Sequence, residues 1–346
     1  MIFEHPEFGG PGGAHEQVDF AADPESGLRA ILAVHNTRRG PALGGLRLWR
    51  YASGAEALTD ALRLSRGMTY KAALADLPLG GGKSVILLEP EQEKTPALMR
   101  AMGAAVERLG GRYIAAEDVG ASPADMDLMR ERTSHVTGLS SGVGDPSPWT
   151  AEGVFLCLKA AVRLKLGRDD LSGVRVTVKG LGSVGARLAR RLAAAGAALT
   201  LADLREEIAA SLAAELGGRV CGPDEAVSAP AEVFAPCALG GDLAGEALER
   251  LGAPIICGAA NNQLGAPEDG ARLAAAGALY CPDYLVNAGG LISVARPAIG
   301  MDEPAARHPA PPPRSLRPTS PATPRASGAP TAAIADRLAE ARFMIA

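Results

Sequence analysis

Apolar residues recur with two different periods in the first 145 residues of the chain. Leu58, Ala61 and Leu62 follow a Ser-x-x-Glu capping box at helical spacing, which predicts a helix over residues 53–75. A second helix is predicted over residues 96–109. Short apolar runs typical of strands lie at residues 29–34, 84–88 and 112–116. This part of the chain is therefore predicted to fold as an α/β domain.

After the turn-rich residues 141–150, the pattern changes to a repeated succession of strand and helix. Residues 174–179 form a β-branched strand that leads into Gly-Leu-Gly-Ser-Val-Gly and then into a helix, and a second strand ends at Asp203. This succession is typical of a doubly wound parallel sheet, so residues 146–295 are predicted to be a Rossmann-type domain. Further short apolar segments continue the alternation at residues 232–236, 254–257 and 278–280.

The glycine-rich turn in this second domain is the clearest single motif. In its GxGxxG spacing the first glycine makes a tight turn, the second admits a pyrophosphate, and the third lets helix and strand pack. Asp203 can accept hydrogen bonds from ribose hydroxyls and repel a 2′-phosphate, which favours NAD over NADP, although Arg205 could pair with that phosphate. The residues predicted to bind the cofactor in this turn are Gly180, Leu181, Gly182, Ser183, Val184 and Gly185.

Two lysines, Lys71 and Lys83, flank residues 80–82, three glycines that we interpret as a loop allowing close approach of a ligand. The chain has 35 Lys and Arg residues but only six lysines, so it mostly uses arginine where a plain positive charge suffices. A lysine can lose its proton near neutral pH when it is desolvated or lies beside another cation. The pair is therefore a candidate base and carboxylate clamp. The alternative is two ordinary surface lysines near a turn.

Gly82, Lys83 and Ser84 resemble the end of a phosphate-binding P-loop. That motif requires a glycine at the position of Leu77, and it runs in the order strand, loop, helix. Here the preceding segment is predicted to be a helix and the following one a strand. A nucleotide-triphosphate site is therefore excluded.

Asp118 follows the predicted strand at residues 112–116 and precedes Gly120. The end of a strand holds a carboxylate rigidly while the adjoining loop leaves room for a substrate, so Asp118 is a candidate catalytic residue. The alternative is a turn aspartate or a cap for a helix at residues 122–125. Residues 40–45 are predicted to form a glycine turn, either presenting N–H groups to an anion such as a carboxylate or simply connecting a hairpin.

Composition excludes several classes of partner. The net charge of −4 gives no basic surface for nucleic acid, so small molecules are the expected partners. The first residues lack the features of a signal peptide, and the chain has no uninterrupted apolar stretch of about 18 residues, so a cytoplasmic protein without membrane attachment is expected. Five widely spaced cysteines and five histidines show no ligand spacing, and no metal site is predicted.

Further motifs join those described above. From about Pro24 to Ala295 the chain contains GPALGGLRLW, GMTYKAALADLPLGGGKSVI, AAEDVG, GDPSPWTAEGVF, VKGLGSVG, APCALGG, GAANNQL and DYLVNAGG. With these motifs the chain resembles the leucine, phenylalanine and valine dehydrogenases, the short-chain relatives of glutamate dehydrogenase. The resemblance implies reversible NAD-dependent oxidative deamination of an L-amino acid by a homo-oligomer. It also implies that residues 1–145 form the domain for substrate binding and oligomerisation.

The resemblance also implies roles for single residues. Lys71 would hold the substrate carboxylate, Lys83 would act as acid/base on water, and Asp118 would help to handle the amine. A branched aliphatic substrate such as leucine is favoured, with phenylalanine as the alternative because Leu291 is closer to the phenylalanine enzymes. The other residues implied in substrate binding are Leu43, Gly44, Ala116, Asn287, Leu291 and Val294. Those implied in cofactor binding outside the glycine turn are Thr150, Ala238, Asn261 and Asn262.

The chain departs from the family pattern at residues 296–330, which contain ten prolines. Proline costs about 3 kcal/mol inside a helix, so no regular helix is expected to span this segment. Family-like sequence returns at residues 331–341, and a helix over residues 331–346 is expected to rejoin the first domain. The segment is either a compensated reading-frame error or a genuine Pro-rich insertion. An inactive NAD-binding protein and a misfolded product are the two alternatives to an enzyme.

Overall fold

The computed structural model describes residues 2–10, 12–142, 145–238, 241–300 and 330–344. These residues divide into two compact units. The first holds those that fall within Met1–Gly144, Leu291–Arg307 and Ala339–Ala346, and the second holds those within Asp145–Gly290 and His308–Leu338. No helix within the described ranges is both long and apolar enough to cross a membrane.

The first unit is built on a mixed sheet with strand order β1-β2-β4-β3-β5. Strand β2 pairs antiparallel with β1 and β4, whereas β3 runs parallel to β4 and β5. The elements are β1 (Gln17–Asp23), β2 (Leu28–Asn36), β3 (Ala42–Trp49), α1 (Gly54–Leu74), β4 (Gly80–Leu87), α2 (Pro96–Glu107), β5 (Tyr113–Glu117) and α3 (Pro123–Arg130).

Helix α1 begins where the capping pattern predicts. The Ser53 side chain accepts a hydrogen bond from Glu56 N, which satisfies one free donor of the first turn as the capping box predicts. Glu56 Oε2 accepts its hydrogen bond from Ala52 N at 2.8 Å, one residue before the position that a capping box requires. Lys71 lies in the last turn. The two predicted helices correspond to α1 and α2, and the strands predicted at residues 29–34 and 112–116 correspond to β2 and β5, so these predictions are confirmed. Because α1 precedes β4, the order that excludes a P-loop is confirmed as well.

Two predictions about glycines are wrong. Residues 80–82 are the start of strand β4 rather than a loop, and Gly44 and Gly45 lie inside strand β3 rather than in a turn. The reason is tertiary packing. A Cβ on Gly81 would lie 2.0 Å from Thr69 N of α1, and a Cβ on Gly44 would lie 1.7 Å from Gly82 O. These glycines let helix and strands approach one another, which local sequence preferences do not reveal.

The second unit is a parallel sheet with strand order β11-β10-β9-β6-β7-β8, which confirms the prediction of a doubly wound domain. Helix α4 begins at Ser147, inside the segment predicted to be a connector. The elements are α4 (Ser147–Leu166), β6 (Arg175–Lys179), α5 (Ser183–Ala194), β7 (Ala198–Ala202), α6 (Glu206–Leu216), β8 (Arg219–Val220), β9 (Val233–Pro236), α7 (Glu246–Glu249), β10 (Ile255–Ile256), α8 (Pro267–Ala275), β11 (Leu279–Tyr280) and α9 (Asp283–Val286).

Helix α10 (Gly289–Ala298) continues past residue 296, where the sequence predicts that regular structure is lost. Leu291 and Ala295 pack in an apolar cluster with residues of the first unit, and this burial holds the helix together up to Pro297 in its last turn. For the same reason Leu291 falls in the first unit, whereas the sequence-based boundary lies at residue 295. Helix α11 (Thr331–Phe343) follows, and residues 301–329 lie outside the described residues.

His35, in strand β2, makes the first unit sensitive to acid. Its side chain is fully buried, and its Nδ1 lies 2.8 Å from Thr69 Oγ1. Burial, with His15 and Arg66 as further causes, lowers the pKa of His35 to about 3. The folded state therefore keeps a neutral imidazole that the unfolded state protonates below its ordinary pKa of 6.5. The stability contributed by this difference is present above pH 6.5 and is lost as the pH falls toward 3.

We expect His35→Gln to weaken this acid sensitivity. Between about pH 7.5 and pH 5 the free energy of unfolding should fall by about 2 kcal/mol less in the variant than in the unaltered chain. The measurement is urea unfolding of both proteins at the two pH values, and comparing the two differences cancels any general effect of the substitution. Equal losses in both proteins would show that His35 does not titrate as described.

Candidate active site

The centre of the candidate site is an ion pair between Lys83 and Asp118. Lys83 lies on strand β4 and its side chain is almost entirely buried, whereas Asp118 directly follows strand β5. Lys83 Nζ donates a hydrogen bond to Asp118 Oδ2. A lysine is rarely buried in this way without a partner, so the carboxylate accounts for its position.

Gly45 of strand β3 makes room for this pair. It lies opposite Ala116 of β5, and the register of β3 with β4 puts it beside Lys83. A Cβ on Gly45 would lie 2.6 Å from Asp118 Cβ. Because side chains alternate along a strand, Lys83 and Asp118 project to the same face of the sheet at this gap. Any larger residue at position 45 would displace the carboxylate.

Burial and charge have opposing effects within the pair. Burial lowers the pKa of Lys83 below its ordinary value, and the nearby Arg47 guanidinium lowers it further, while Asp118 and Asp60 raise it. Burial would raise the pKa of Asp118, but the Lys83 ammonium and Arg47 outweigh it, so the carboxyl pKa lies below its usual range. Asp118 is thus a carboxylate, and Lys83 can lose its proton at a lower pH than a surface lysine does.

An apolar cluster lies on the same face of the sheet. Leu43 and Ile114 lie two residues before Gly45 and Ala116 on their strands and so share their face of the sheet. They pack together with Leu291 of α10. The structure thus brings Leu43 and Leu291 together, as the resemblance implies for a substrate pocket. Ile114 was not predicted, although strand alternation from Ala116 would have indicated it.

The other residues of the first unit that are predicted to bind a substrate lie in different settings. Lys71 is half-buried in the last turn of α1. The carbonyl of Gly44 accepts a hydrogen bond from Tyr113 Oη, and the Val294 carbonyl accepts one from Thr137 Oγ1 at 3.0 Å. Gly44 therefore has a packing role within the sheet.

In the second unit the three motif glycines have the geometry that a dinucleotide requires. Gly180 has a φ of +92°, and a Cβ there would lie 2.5 Å from Ala238 N. A Cβ on Gly185 would lie 1.9 Å from Gly180 O, whereas one on Gly182 would meet nothing within 4 Å. Gly182 opens helix α5, whose first turn no side chain of the described residues caps. Open space at an uncapped helix N-terminus fits a pyrophosphate.

Asp203 lies at the end of strand β7, beside this turn. Its Oδ2 accepts a hydrogen bond from Leu181 N at 2.7 Å, and its Oδ1 accepts one from Arg205 N at 3.0 Å. Burial would raise the pKa of Asp203, but these backbone donors and the Arg205 side chain lower it overall. A charged acceptor therefore lies where the adenosine ribose of a dinucleotide would be bound.

The other predicted residues of the second unit lie at the ends of its elements. Ser183 and Val184 form the accessible first turn of α5, and Thr150 lies in the first turn of α4. Asn287 is buried, and its Nδ2 donates to Asn261 Oδ1 at 2.8 Å and to the Ala259 carbonyl. Its Oδ1 is buried without a hydrogen-bond partner among the described residues. Exposed Asn262 donates its N–H to Asp283 Oδ2.

Sequence reasoning missed a second set of charges behind Asp118. Arg47 Nε lies 3.4 Å from Asp118 Oδ2, and Arg47 Nη1 donates to Asp60 Oδ2 at 2.9 Å. Tyr51 Oη donates to the same oxygen of Asp60. The signal was strand alternation, since Arg47 follows Gly45 by two residues and shares its face. In the described part of the chain no group of three or more His, Cys, Asp or Glu residues could hold a metal ion.

The chain is similar to known proteins in both of its units. Residues 15–135 match the Glu/Leu/Phe/Val dehydrogenase dimerisation domain, and residues 200–296 match the Glutamate/Leucine/Phenylalanine/Valine dehydrogenase domain. Leucine dehydrogenase of Geobacillus stearothermophilus is 47% identical over 83% of this chain and 79% of its own length. Phenylalanine dehydrogenase of Lysinibacillus sphaericus is 45% identical over 84% of this chain and 78% of its own length. The crystal structure of L-tryptophan dehydrogenase from Nostoc punctiforme has a TM-score of 0.86 at 40% identity, covering 100% of this chain and 99% of that one.

These matches confirm the resemblance read from the motifs and the two-domain α/β fold expected from it. They include both the sheet that carries the Lys83–Asp118 pair and the strands of the second unit that follow the glycine turn. The relatives differ in the amino acid that they are named for, but all are amino acid dehydrogenases. The chain belongs to the Glu/Leu/Phe/Val dehydrogenase family of amino acid dehydrogenases.

Proposed function

We propose that this chain catalyses the NAD-dependent oxidative deamination of L-leucine or a closely related branched-chain amino acid to its 2-oxo acid and ammonia. The buried Lys83–Asp118 pair beside an aliphatic cluster is the observation that carries this proposal. It combines a lysine that can act as a base with an apolar surface on the same face of the sheet. Leucine dehydrogenases at 44–47% identity are among the relatives.

The residues divide the chemistry as follows. Lys83, once deprotonated, takes a proton from the water that attacks the imine carbon of the oxidised substrate. Asp118, held as a carboxylate, accepts hydrogen bonds from the substrate amino group and later from the departing ammonia. Lys71, from the last turn of α1, binds the substrate carboxylate. Asn287, with its unpartnered buried Oδ1, accepts a hydrogen bond from the bound substrate.

The side chain of the substrate is assigned from the cluster that contains Leu43, Ile114 and Leu291. All three are aliphatic, and an aliphatic surface gains about 0.8 kcal/mol for each methylene group that it buries. We place the leucine side chain against it. Gly44, Ala116 and Val294 complete the proposed substrate-binding set on the ground of the family resemblance.

The proposed cofactor is NAD, bound at the glycine turn by residues 180–185, Asp203 and Thr150, with Ala238, Asn261 and Asn262 at the neighbouring strand ends. When bound, NAD supplies the hydride acceptor. The chain binds the pyrophosphate at the open Gly182 and the uncapped start of α5. Asp203 binds the ribose hydroxyls and repels a 2′-phosphate.

Asp203→Ser tests the choice of cofactor. Removing the carboxylate removes the repulsion of a 2′-phosphate and frees Arg205, which now contacts Asp203 Oδ1 at 3.3 Å. We expect the ratio of kcat/KM with NAD to kcat/KM with NADP to fall by about tenfold or more. The measurement is initial rates with each cofactor at fixed leucine. An unchanged ratio would contradict the assignment of Asp203 to the ribose.

Oligomerisation is part of the proposal. The first unit matches a domain described as a dimerisation domain, and a glutamate dehydrogenase from Thermus thermophilus with 25% identity is described as hetero-hexameric. We infer that the chain forms a homo-oligomer. Light scattering of the purified protein measures the state directly.

A panel of substrates tests the proposed function. We expect kcat/KM to be highest for leucine, valine or isoleucine and at least about tenfold lower for phenylalanine, tryptophan and glutamate. The larger aromatic rings would have to displace side chains of the packed cluster, and the glutamate carboxylate would be buried against apolar groups. A preference for phenylalanine or tryptophan would replace the proposal with an aromatic amino acid dehydrogenase. Binding of NAD without turnover of any of the six would favour an inactive cofactor-binding protein.

A further inference from the structure

We propose that Arg47, backed by Asp60, is a positioning residue that holds Asp118 on Lys83 and sets the pH at which Lys83 loses its proton. This inference rests on the proposed role of Lys83 as the base. Arg47 contacts the carboxylate of Asp118 and acts on Lys83 in two ways, through that shared carboxylate and through its own charge.

Arg47 contacts the Lys83–Asp118 pair on one side and Asp60 of helix α1 on the other. Arg47 Nε lies 3.4 Å from Asp118 Oδ2, the same oxygen that accepts the hydrogen bond from Lys83. Arg47 Nη1 lies 2.9 Å from Asp60 Oδ2, and Tyr51 Oη donates to that oxygen at 2.6 Å. The guanidinium is thus fixed at two points, and through it the Asp118 side chain is fixed to strand β3.

Most of this network lies away from water. The side chains of Arg47, Asp60 and Asp118 are each about one-quarter exposed, and that of Lys83 is 6% exposed. Charges in such surroundings interact more strongly than charges on the surface. A permanent cation beside Lys83 therefore affects its proton affinity.

The charges alternate in sign along the network. Lys83 and Arg47 are like charges that share one carboxylate, so Arg47 favours the neutral form of Lys83. Asp60 lies on the far side of Arg47 and partly cancels its charge. Among the described residues the charged or titratable groups of this network are Asp118 after β5, Arg47 on β3, Asp60 on α1 and Tyr51 after β3. Removing Arg47 and removing Asp60 should therefore shift the pKa of Lys83 in opposite directions.

Two variants give this contrast. Arg47→Gln removes a like charge, so Lys83 should hold its proton to a pH higher by about 0.5–1 unit. Asp60→Asn leaves Arg47 uncompensated and should shift the titration of Lys83 to lower pH by a similar amount. Arg47→Lys restores the charge and should bring the titration back toward that of the unaltered chain, and Tyr51→Phe, which removes no charge, should change it least.

The titration can be followed without turnover. The chain has only six lysines, so protein labelled with ¹³C at lysine Cε gives few NMR signals, and Lys83→Met identifies the signal of Lys83. The pH dependence of kcat/KM for leucine is measured in parallel. If the chain proves inactive toward leucine, the NMR titration still decides the role of Arg47, so failure of the proposed function and failure of this inference are distinguishable.

Opposite shifts in Arg47→Gln and Asp60→Asn, with recovery in Arg47→Lys, are the expected result. The kcat of Arg47→Gln should also fall by about tenfold, while its KM for NAD stays unchanged. An unchanged Lys83 titration in both variants would overturn the proposal and leave Arg47 with a purely structural role. If Arg47→Gln does not fold, Asp60→Asn decides alone, since a downward shift supports the proposal and no shift overturns it.

Discussion

Replacing Lys83 with methionine is expected to lower kcat/KM for leucine by about 10³-fold or more. Methionine fills much of the same buried volume but cannot take a proton, and general-base catalysis alone contributes about 10²–10⁴-fold. Asp118 keeps its contact with Arg47, so the carboxylate is not left unpaired by the substitution. The fold and the affinity for NAD should change little, because the glycine turn lies in the other unit.

Lys159→Met is the matched control. Lys159 is an exposed lysine on α4 that lies over the Phe155 ring, so the same substitution there should leave kcat/KM within about twofold. Rates and NAD affinity of both variants are measured by initial velocities and fluorescence titration. If Lys83→Met kept more than about a tenth of the unaltered kcat/KM, Lys83 would not be the base.

The second large effect is expected at the glycine turn. A Cβ on Gly182 meets nothing within 4 Å, so Gly182→Ala should fold normally. Its methyl group would occupy the space proposed for the pyrophosphate, and we expect the affinity for NAD to fall by about 10–100-fold. Circular dichroism and a titration with NAD measure the two quantities on one sample.

Gly185→Ala provides the contrast within the same motif. Its Cβ would lie 1.9 Å from the carbonyl oxygen of Gly180, so the substitution should destabilise the unit itself and lower the melting temperature. A destabilised Gly182→Ala, or a Gly185→Ala that melts like the unaltered chain, would show that the roles of the glycines are assigned wrongly. Normal NAD binding by Gly182→Ala would place the pyrophosphate elsewhere.

The second unit could be predicted well from the sequence because its signals are local. Residues 174–203 contain a β-branched strand, a glycine turn, a helix and an acid in order along the chain, and the structure has each of them in that order. Asp118 could likewise be predicted as the residue after a buried strand. In these cases hydrophobic period and turn chemistry act within a few residues of one another.

The glycines of the first unit could not be predicted in the same way. Gly81 and Gly44 are in strands because α1 and the neighbouring strands press against them, and glycine out of context indicates a loop. The contact between Arg47 and Asp60 is hidden for a similar reason, since it depends on how α1 lies across β3. Such facts belong to tertiary packing and appear only when elements far apart in sequence are brought together.

The C-terminal residues matter for the active site despite the proline-rich sequence before them. Arg342 Nη1 donates to the carbonyls of Ala73 and Leu74 at the end of α1, the helix that carries Lys71. Tyr70 Oη donates to Glu340 Oε1 at 2.7 Å. These contacts fix the last turn of α1 within the first unit. The return of family-like sequence after residue 330 therefore supplies side chains that hold the proposed carboxylate-binding lysine in place.

The most direct test of the account is the stoichiometry of the reaction that this chain catalyses. Purified protein is incubated with L-leucine and NAD at alkaline pH, and NADH, ammonia and 2-oxo acid are each quantified. We predict that the three products form in equal amounts, and that Lys83→Met forms each of them at least about 10³-fold more slowly. Soluble protein that binds NAD but yields no 2-oxo acid from any amino acid would contradict the account and favour an inactive cofactor-binding protein.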